Sequence, residues 1–162
     1  MNDPLITDAA RALVADLTVR RQTVATAESL TAGLLAATIA GVAGASAVLA
    51  GGLVTYTVDT KMRLAGVPQE VLDAVGPVAA PTARALAVGA RQRCGATWGV
   101  SLTGVAGPEP HGGHPVGTVF LGLAGPVDTD VVELALSGSR WDIRMAAVGE
   151  AIERLRVMVE TR

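Results

Sequence analysis

The fold of this chain is decided by the stretch Thr23-Val24-Ala25-Thr26-Ala27-Glu28-Ser29-Leu30-Thr31-Ala32-Gly33-Leu34-Leu35. Its first five residues are small or β-branched, as in a buried strand, and from Thr31 onwards an Ala/Leu run has helical spacing. The polar cluster Glu28-Ser29-Leu30-Thr31 lies where the strand pattern changes to the helix pattern. The pattern predicts a strand, Thr23–Ala27, that runs directly into a helix, Thr31–Ala40.

A hydroxyl at this junction of strand and helix would lie beside the first N–H groups of the helix, which have no hydrogen-bond partner within the helix. Such a place favours a phosphate, or the oxyanion that forms when a hydroxyl attacks a carbonyl. The alternative is that Ser29 or Thr31 only caps the helix, since both types are preferred caps. The Gly-x-Ser-x-Gly elbow is absent, so spacing alone identifies no hydrolase family.

Length and composition indicate one domain, residues 1–162, with a core of Ala, Val and Leu, because 50% of the chain is hydrophobic but only 2% aromatic. The net charge of −2 offers no bulk attraction to nucleic acid, so we expect no nucleic-acid partner. The single Cys94 excludes an internal disulfide framework and favours a cytoplasmic location. Cys94 itself is most simply a buried small apolar residue.

Two segments bear on membranes and export. The run Ser29–Val58 has no charge, but five glycines and several threonines interrupt it, which favours helix, turn and strand over a membrane span. Met1–Asp8 carries two aspartates and no basic residue, so we predict no signal peptide.

The remaining segments predict alternating helices and strands. The predicted helices are Pro4–Arg21, Gln69–Ala74, Pro81–Arg93 and Arg140 to about Glu160, and the predicted strands are Val48–Thr57, Trp98–Leu102, Val116–Ala124 and Val127–Leu136. The paired Gly51 and Gly52 indicate a bulge or a close backbone approach. Helices that alternate with strands, followed by a β-hairpin, predict an α/β fold in which a mixed sheet has helices on both faces.

Three segments follow strand ends and are the expected walls of one site: Glu28–Gly33, Tyr56–Lys61 and Thr103–Pro115. Lys61, the only lysine, is the candidate base for Ser29, because a lysine taken out of water can accept a proton near neutral pH. Tyr56 could relay the proton or orient the lysine. The alternative is a solvated surface lysine.

Two histidines and two arginines give weaker indications of a binding site. His111 and His114 lack a carboxylate or cysteine at ligand spacing, so exposed loop histidines are favoured over a metal site. Arg140 and Arg144 lie one turn apart and could bind a phosphate, or could be ordinary surface charge.

Four motifs in order resemble the CinA C-terminal domain family: Ala27–Gly33, Gly51–Tyr56 with Lys61, Thr103–Pro108 and Pro115–Val119. The resemblance extends from about Leu5 to Glu160. Its best characterised members are nicotinamide mononucleotide amidohydrolases of pyridine nucleotide salvage. Longer members carry an additional N-terminal domain associated with pyrophosphatase activity, which we do not expect here.

The resemblance implies a three-layer α/β/α sandwich, no metal or other cofactor, and a homo-oligomer. It implies that Ser29 is the nucleophile and Lys61 its base, with Tyr56 assisting. We expect the backbone N–H groups at the start of the Thr31 helix to hold the oxyanion. The expected substrate-binding residues are Glu28, Thr31, Ala32, Gly33, Thr103, Gly104, Ala106 and Gly107, with Arg140 and Arg144 for the phosphate.

This chain departs from the family pattern at two places. The usual Glu-Ser-Cys-Thr-Gly-Gly is Glu-Ser-Leu-Thr-Ala-Gly here, and Ala32 would narrow the site if its backbone needs a positive φ. The usual Gly-Ala-Val-Ser-Glu is Gly76-Pro77-Val78-Ala79-Ala80, without the serine and glutamate. The alternatives are therefore a nucleotide-binding module that has lost turnover, or an amidase for another small amide.

Overall fold

The structure is a computed structural model that describes residues 3–162. Residues 1 and 2, part of the stretch in which no signal peptide is predicted, lie outside the described residues. The helices are α1 (Asp8–Arg20), α2 (Leu34–Ala40), α3 (Val58–Ala65), α4 (Gln69–Val75), α5 (Ala80–Arg93) and α6 (Arg140–Thr161), with one 3-10 turn at Ala45–Ala47. The strands are β1 (Val24–Glu28), β2 (Leu49–Val54), β3 (Trp98–Gly104), β4 (Thr118–Ala124) and β5 (Thr129–Ala135).

The five strands form one mixed sheet in the order β2-β1-β3-β4-β5. Strand β1 is parallel to both β2 and β3, whereas β4 and β5 follow β3 as antiparallel strands. The carboxyl ends of β1, β2 and β3 therefore meet at one edge of the sheet, where the three predicted walls begin.

Helices cover both faces of the sheet, which confirms the predicted α/β class. Helices α1, α2 and α6 pack together on one face, and α3 and α4 pack with α5 on the other. Strand β1 alternates between the two cores, since Val24 belongs to the first and Ala25 and Ala27 to the second. Small residues let the layers approach closely: a Cβ at Gly99 would lie 2.0 Å from the Ala87 carbonyl oxygen of α5.

Two predicted boundaries are wrong for physical reasons. The helix predicted from Thr31 begins at Leu34, because Ala32 and Gly33 have positive φ values of 49° and 98°, which no right-handed helix accepts. The strand predicted to reach Thr57 ends at Val54, because Thr57 caps α3 in a reciprocal capping box with Thr60. No helix is predicted for the α3 segment, although the Thr57-x-x-Thr60 spacing indicates its start.

The other predicted elements are present with ends shifted by at most four residues. The glycine pair in β2 does mark a close approach, since a Cβ at Gly52 would lie 3.0 Å from both Ala36 Cβ and Thr26 Oγ1. Within residues 3–162, none of the helices has both the length and the apolar character required to cross a membrane.

Candidate active site

Ser29 occupies a tight turn between β1 and α2. Its N–H donates to the Leu102 carbonyl of β3 at 2.9 Å, and its carbonyl accepts from the Ala32 N–H at 3.0 Å. The chain turns through the positive φ of Ala32, a conformation that costs a non-glycine residue roughly 1 kcal/mol. Ala32 is exposed, so its methyl group does not narrow the site as the departure from the family pattern led us to expect.

The carboxylate of Glu28 builds this turn. Glu28 is completely buried, and its two oxygens accept hydrogen bonds from Thr26 Oγ1 and from the backbone N–H groups of Gly33, Leu35 and Ala36, at 2.9–3.1 Å. The carboxylate therefore occupies the N-terminus of α2. The expected caps, Ser29 and Thr31, do not cap this helix, and its N–H groups are not free to hold an oxyanion.

Lys61 approaches the nucleophile turn from α3. Its side chain is only 1% exposed, and Nζ donates to the Thr55 carbonyl at 2.7 Å and to Ser29 Oγ at 3.0 Å. Among the described residues, no carboxylate forms an ion pair with it. Burial lowers the pKa of Lys61 from 10.5 to about 8. The alternative of a solvated surface lysine is therefore wrong.

The serine and the lysine lie in a cavity of about 390 Å³, within the usual range for small-molecule sites. Its walls come from the three predicted segments and from two further places, the turn before α5 and the start of α6. The lining residues are Ser29, Leu30, Tyr56, Val58, Lys61, Pro77, Val78, Thr103, Gly104, Val105, Ala106, Gly107, Glu109, His111 and Arg140.

Several expected site residues do line this cavity, and others do not. Thr103, Gly104, Ala106, Gly107 and Arg140 are in its walls, as the sequence analysis expected. Four residues of the nucleophile turn expected to bind substrate are absent from the walls: Glu28, Thr31, Ala32 and Gly33. Their place is structural, because Glu28 holds the turn and the other three form it.

Tyr56 and Arg140 pair at the cavity. The guanidinium of Arg140 donates to the Tyr56 hydroxyl at 3.1 Å and to the Gly107 carbonyl. The hydroxyl of Tyr56 thus contacts an arginine, and not Lys61 as the proton-relay hypothesis required. Arg140 links the tyrosine to the glycine-rich loop.

Arg144 lies behind the nucleophile turn. Its Nε donates to the Leu30 carbonyl at 2.9 Å and its Nη2 to the Thr31 carbonyl at 3.3 Å. Since these contacts use the guanidinium and the residue is not in the cavity wall, the expectation that it binds phosphate is not supported by the geometry. Arg144 instead supports the backbone next to Ser29.

Part of the cavity wall is not predicted by the sequence patterns. Pro77 and Val78 line the cavity, and the hydroxyl of Thr103 donates to the Pro77 carbonyl at 2.7 Å. His111, an exposed loop histidine as expected, also borders the cavity, whereas His114 is half-buried with its ring edge-on to Phe120. Within the part of the chain that the structure describes, there is no cluster of three or more side chains suited to a metal ion.

Comparison with known proteins covers nearly the whole chain. The model of the CinA C-terminal domain family matches residues 6–159. A CinA-like protein of Frankia casuarinae is 45% identical over 153 residues, which are 94% of this chain and 35% of that protein. The chain spans about a third of the length of the curated relatives it matches.

Solved structures agree with the fold over nearly the whole of this chain. The competence/damage inducible protein CihA of Agrobacterium tumefaciens superposes with a TM-score of 0.92 at 36% identity, covering 99% of this chain and 98% of that one. A CinA superfamily protein of Escherichia coli gives a TM-score of 0.90 at 28% identity, covering 96% of this chain and 92% of that one.

Proposed function

The chain belongs to the CinA C-terminal domain family, and we propose that it hydrolyses the carboxamide of nicotinamide mononucleotide to nicotinate mononucleotide and ammonia. The proposal takes its substrate from the family resemblance of the sequence motifs. Its chemistry takes support from the geometry of the cavity.

The observation that carries the proposal is the contact between Lys61 Nζ and Ser29 Oγ, at 3.0 Å, with the lysine buried. A serine hydroxyl is a weak nucleophile unless a base within hydrogen-bond reach takes its proton. A lysine with a pKa of about 8 is neutral in a useful fraction of molecules near pH 7. The Thr55 carbonyl fixes the amine, so that its lone pair can face the serine when the proton is lost.

In the acylation step, Ser29 Oγ attacks the carboxamide carbon while its proton passes to Lys61 Nζ. The tetrahedral intermediate then collapses: the C–N bond breaks, the lysine returns the proton to the nitrogen, and ammonia leaves. Ser29 is left as an ester of the nicotinoyl group. In the second step, water attacks this ester, Lys61 accepts a proton from the water and returns it to Ser29 Oγ, and the carboxylate product leaves.

The oxyanion of each step needs donors other than the N-terminus of α2, because Glu28 already occupies that end. Among the described residues, the backbone N–H groups of Leu30 and Thr31 donate to no acceptor of the chain. They immediately follow the nucleophile, where hydrolases of α/β type place one oxyanion donor. Leu30 lines the cavity, whereas Thr31 is completely buried outside its wall, so we assign the oxyanion to the Leu30 N–H.

Arg140 and Tyr56 are the best candidates for the phosphate end of the substrate. A guanidinium matches the geometry of phosphate oxygens, and this one lies in the cavity wall. Its bonds to Tyr56 and Gly107 hold it in place without a carboxylate, so its positive charge is not neutralised by an ion pair within residues 3–162.

The second candidate, a binding module without turnover, rests on the serine and glutamate replaced by Ala79 and Ala80. Neither position lines the cavity. The cavity wall next to them is held by the hydrogen bond that the Thr103 hydroxyl donates to the backbone carbonyl of Pro77. The intact contact between Lys61 and Ser29 favours turnover.

The test is release of ammonia from nicotinamide mononucleotide by the purified protein, with a chelator present, and with Ser29→Ala and Lys61→Ala in parallel. Ser137→Ala is a matched control, because this serine is exposed and lies outside the cavity. We expect both site variants to lose release and the control to keep it. Binding of the mononucleotide by wild type, without release, would identify the binding module instead.

A further inference from the structure

Arg144 is a cation held against the nucleophile turn from outside the cavity. It lies on the first turns of α6, partly buried, and its guanidinium donates to the carbonyl oxygens of Leu30 and Thr31. The ring of Trp141 lies on its other side, with the guanidinium carbon 5.7 Å from the ring centroid. No carboxylate of residues 3–162 pairs with it.

The first carbonyl that Arg144 binds belongs to Leu30, the residue that follows the nucleophile and lines the cavity. The second belongs to Thr31, which is completely buried outside the cavity wall. Two charge-assisted hydrogen bonds from one rigid guanidinium fix the backbone on the C-terminal side of Leu30 and so orient the Leu30 N–H. A cation behind Leu30 also favours negative charge developing in front of it.

The need for such a cation follows from Glu28. In a strand-to-helix turn the positive end of the helix dipole ordinarily stabilises an oxyanion. Here a buried carboxylate accepts three of the N–H groups at that end, and it places negative charge one residue from Ser29. Arg144 supplies positive charge to the same turn from α6, through the backbone carbonyls of Leu30 and Thr31.

We propose that Arg144 is a positioning residue for the reaction: it holds the backbone of Leu30 so that the Leu30 N–H stabilises the oxyanion formed at Ser29. The proposal rests on the proposed amidase function. It predicts that Arg144 affects the chemical step and leaves substrate binding unchanged, because it does not line the cavity.

The experiment compares wild type with Arg144→Met, Arg144→Lys and Arg154→Met. Arg154 is the matched control, an arginine of the same helix whose ion pair with Glu150 is exposed. Three quantities are measured: the melting temperature, kcat and KM for nicotinamide mononucleotide, and the rate at which a fluorophosphonate labels Ser29. Labelling does not depend on the natural substrate, so it tests the turn even if the mononucleotide is not hydrolysed.

We expect Arg144→Met to lower kcat about 10- to 100-fold with KM within about twofold, since removal of a whole oxyanion donor costs about 100- to 1,000-fold. Labelling should slow in parallel, Arg144→Lys should recover part of both rates, and Arg154→Met should match wild type. The proposal is overturned if a folded Arg144→Met keeps wild-type kcat and labelling, or if its loss is confined to KM. If Arg144→Met does not fold, wild-type rates in Arg144→Lys overturn it, because an ammonium on a flexible stem lacks the planar fork that fixes both carbonyls in one geometry.

If wild type labels at Ser29 but releases no ammonia, the amidase assignment fails while the positioning of the turn is still decided by the labelling rates.

Discussion

Raising the pH from 6 to 9 should switch on the Ser29–Lys61 pair, because only the neutral amine can act as a base. With a pKa of about 8, the neutral fraction of Lys61 is about 1% at pH 6, about 9% at pH 7 and about 90% at pH 9. We therefore expect kcat/KM to rise about tenfold from pH 6 to 7, about fivefold from 7 to 8, and less than twofold from 8 to 9.

The assay is initial ammonia release at substrate concentrations well below KM, so that the profile reports the free enzyme. His111→Gln is the control, because His111 is another titratable side chain on the cavity wall and its loss should leave the profile in place. Lys61→Arg should be inactive at every pH, since a guanidinium keeps its proton. A flat profile, or activity in Lys61→Arg, would refute lysine as the base.

The same burial makes a prediction for stability. The folded state binds a proton at Lys61 only up to about pH 8, whereas the unfolded chain binds it up to pH 10.5. The unfolded state therefore holds more protons between these values, and the free energy of unfolding rises with pH across this window. Below pH 8 the buried ammonium costs about 3 kcal/mol, so Lys61→Met should be more stable than wild type at pH 7 by about 1–3 kcal/mol. Chemical denaturation at pH 7 that shows a less stable Lys61→Met would contradict the desolvation account.

Two further predictions concern the nucleophile turn. Glu28→Gln replaces one carboxylate oxygen with a donor. If the amide nitrogen takes the place of Oε1, the Thr26 hydroxyl can accept from it, but the hydrogen bond from the Ala36 N–H fails. We expect a loss of roughly 1–3 kcal/mol in urea unfolding, and an unchanged midpoint would show that the carboxylate does not hold α2. Ala32→Gly should stabilise the fold by about 0.5–1.5 kcal/mol, because it relieves a positive φ at an exposed residue. Gly33→Ala should destabilise the fold, because it places a side chain at a positive φ. The reverse order of the two melting temperatures would exclude backbone strain at this turn.

The sequence patterns predict the sheet class, and they predict that Ser29 and Lys61 lie together. Hydrophobic periodicity indicates the strands. Because ligands bind at the carboxyl ends of parallel strands, both residues are expected at one edge of the sheet, where the structure has them in contact. Lys61 was identified by chemistry, since one lysine among many arginines is a conspicuous candidate base. Its burial could not be read from a segment in which α3 itself was missed.

The roles around the nucleophile were less predictable, because they depend on which side of the turn each side chain occupies. Glu28 adjoins Ser29 in sequence and was expected at the substrate, but alternation along β1 turns its carboxylate away from the cavity and onto α2. Arg140 and Arg144 look equivalent at one helical turn apart, yet one lies in the cavity wall and the other binds the backbone behind it. Single-turn spacing on a helix cannot distinguish two such surroundings.

The arrangement around Ser29 has a physical logic that connects these residues. A strand that turns sharply into a helix leaves several N–H groups without partners, and a buried carboxylate on the last strand residue satisfies three of them at once. That solution secures the turn but removes the helix N-terminus as an anion site. In the proposed reaction, stabilisation of the oxyanion then falls to the Leu30 N–H, which lies between Ser29 and the helix in the cavity wall. Arg144 binds the carbonyl of the same residue, so the turn has both its structural carboxylate and a positive charge beside the nucleophile.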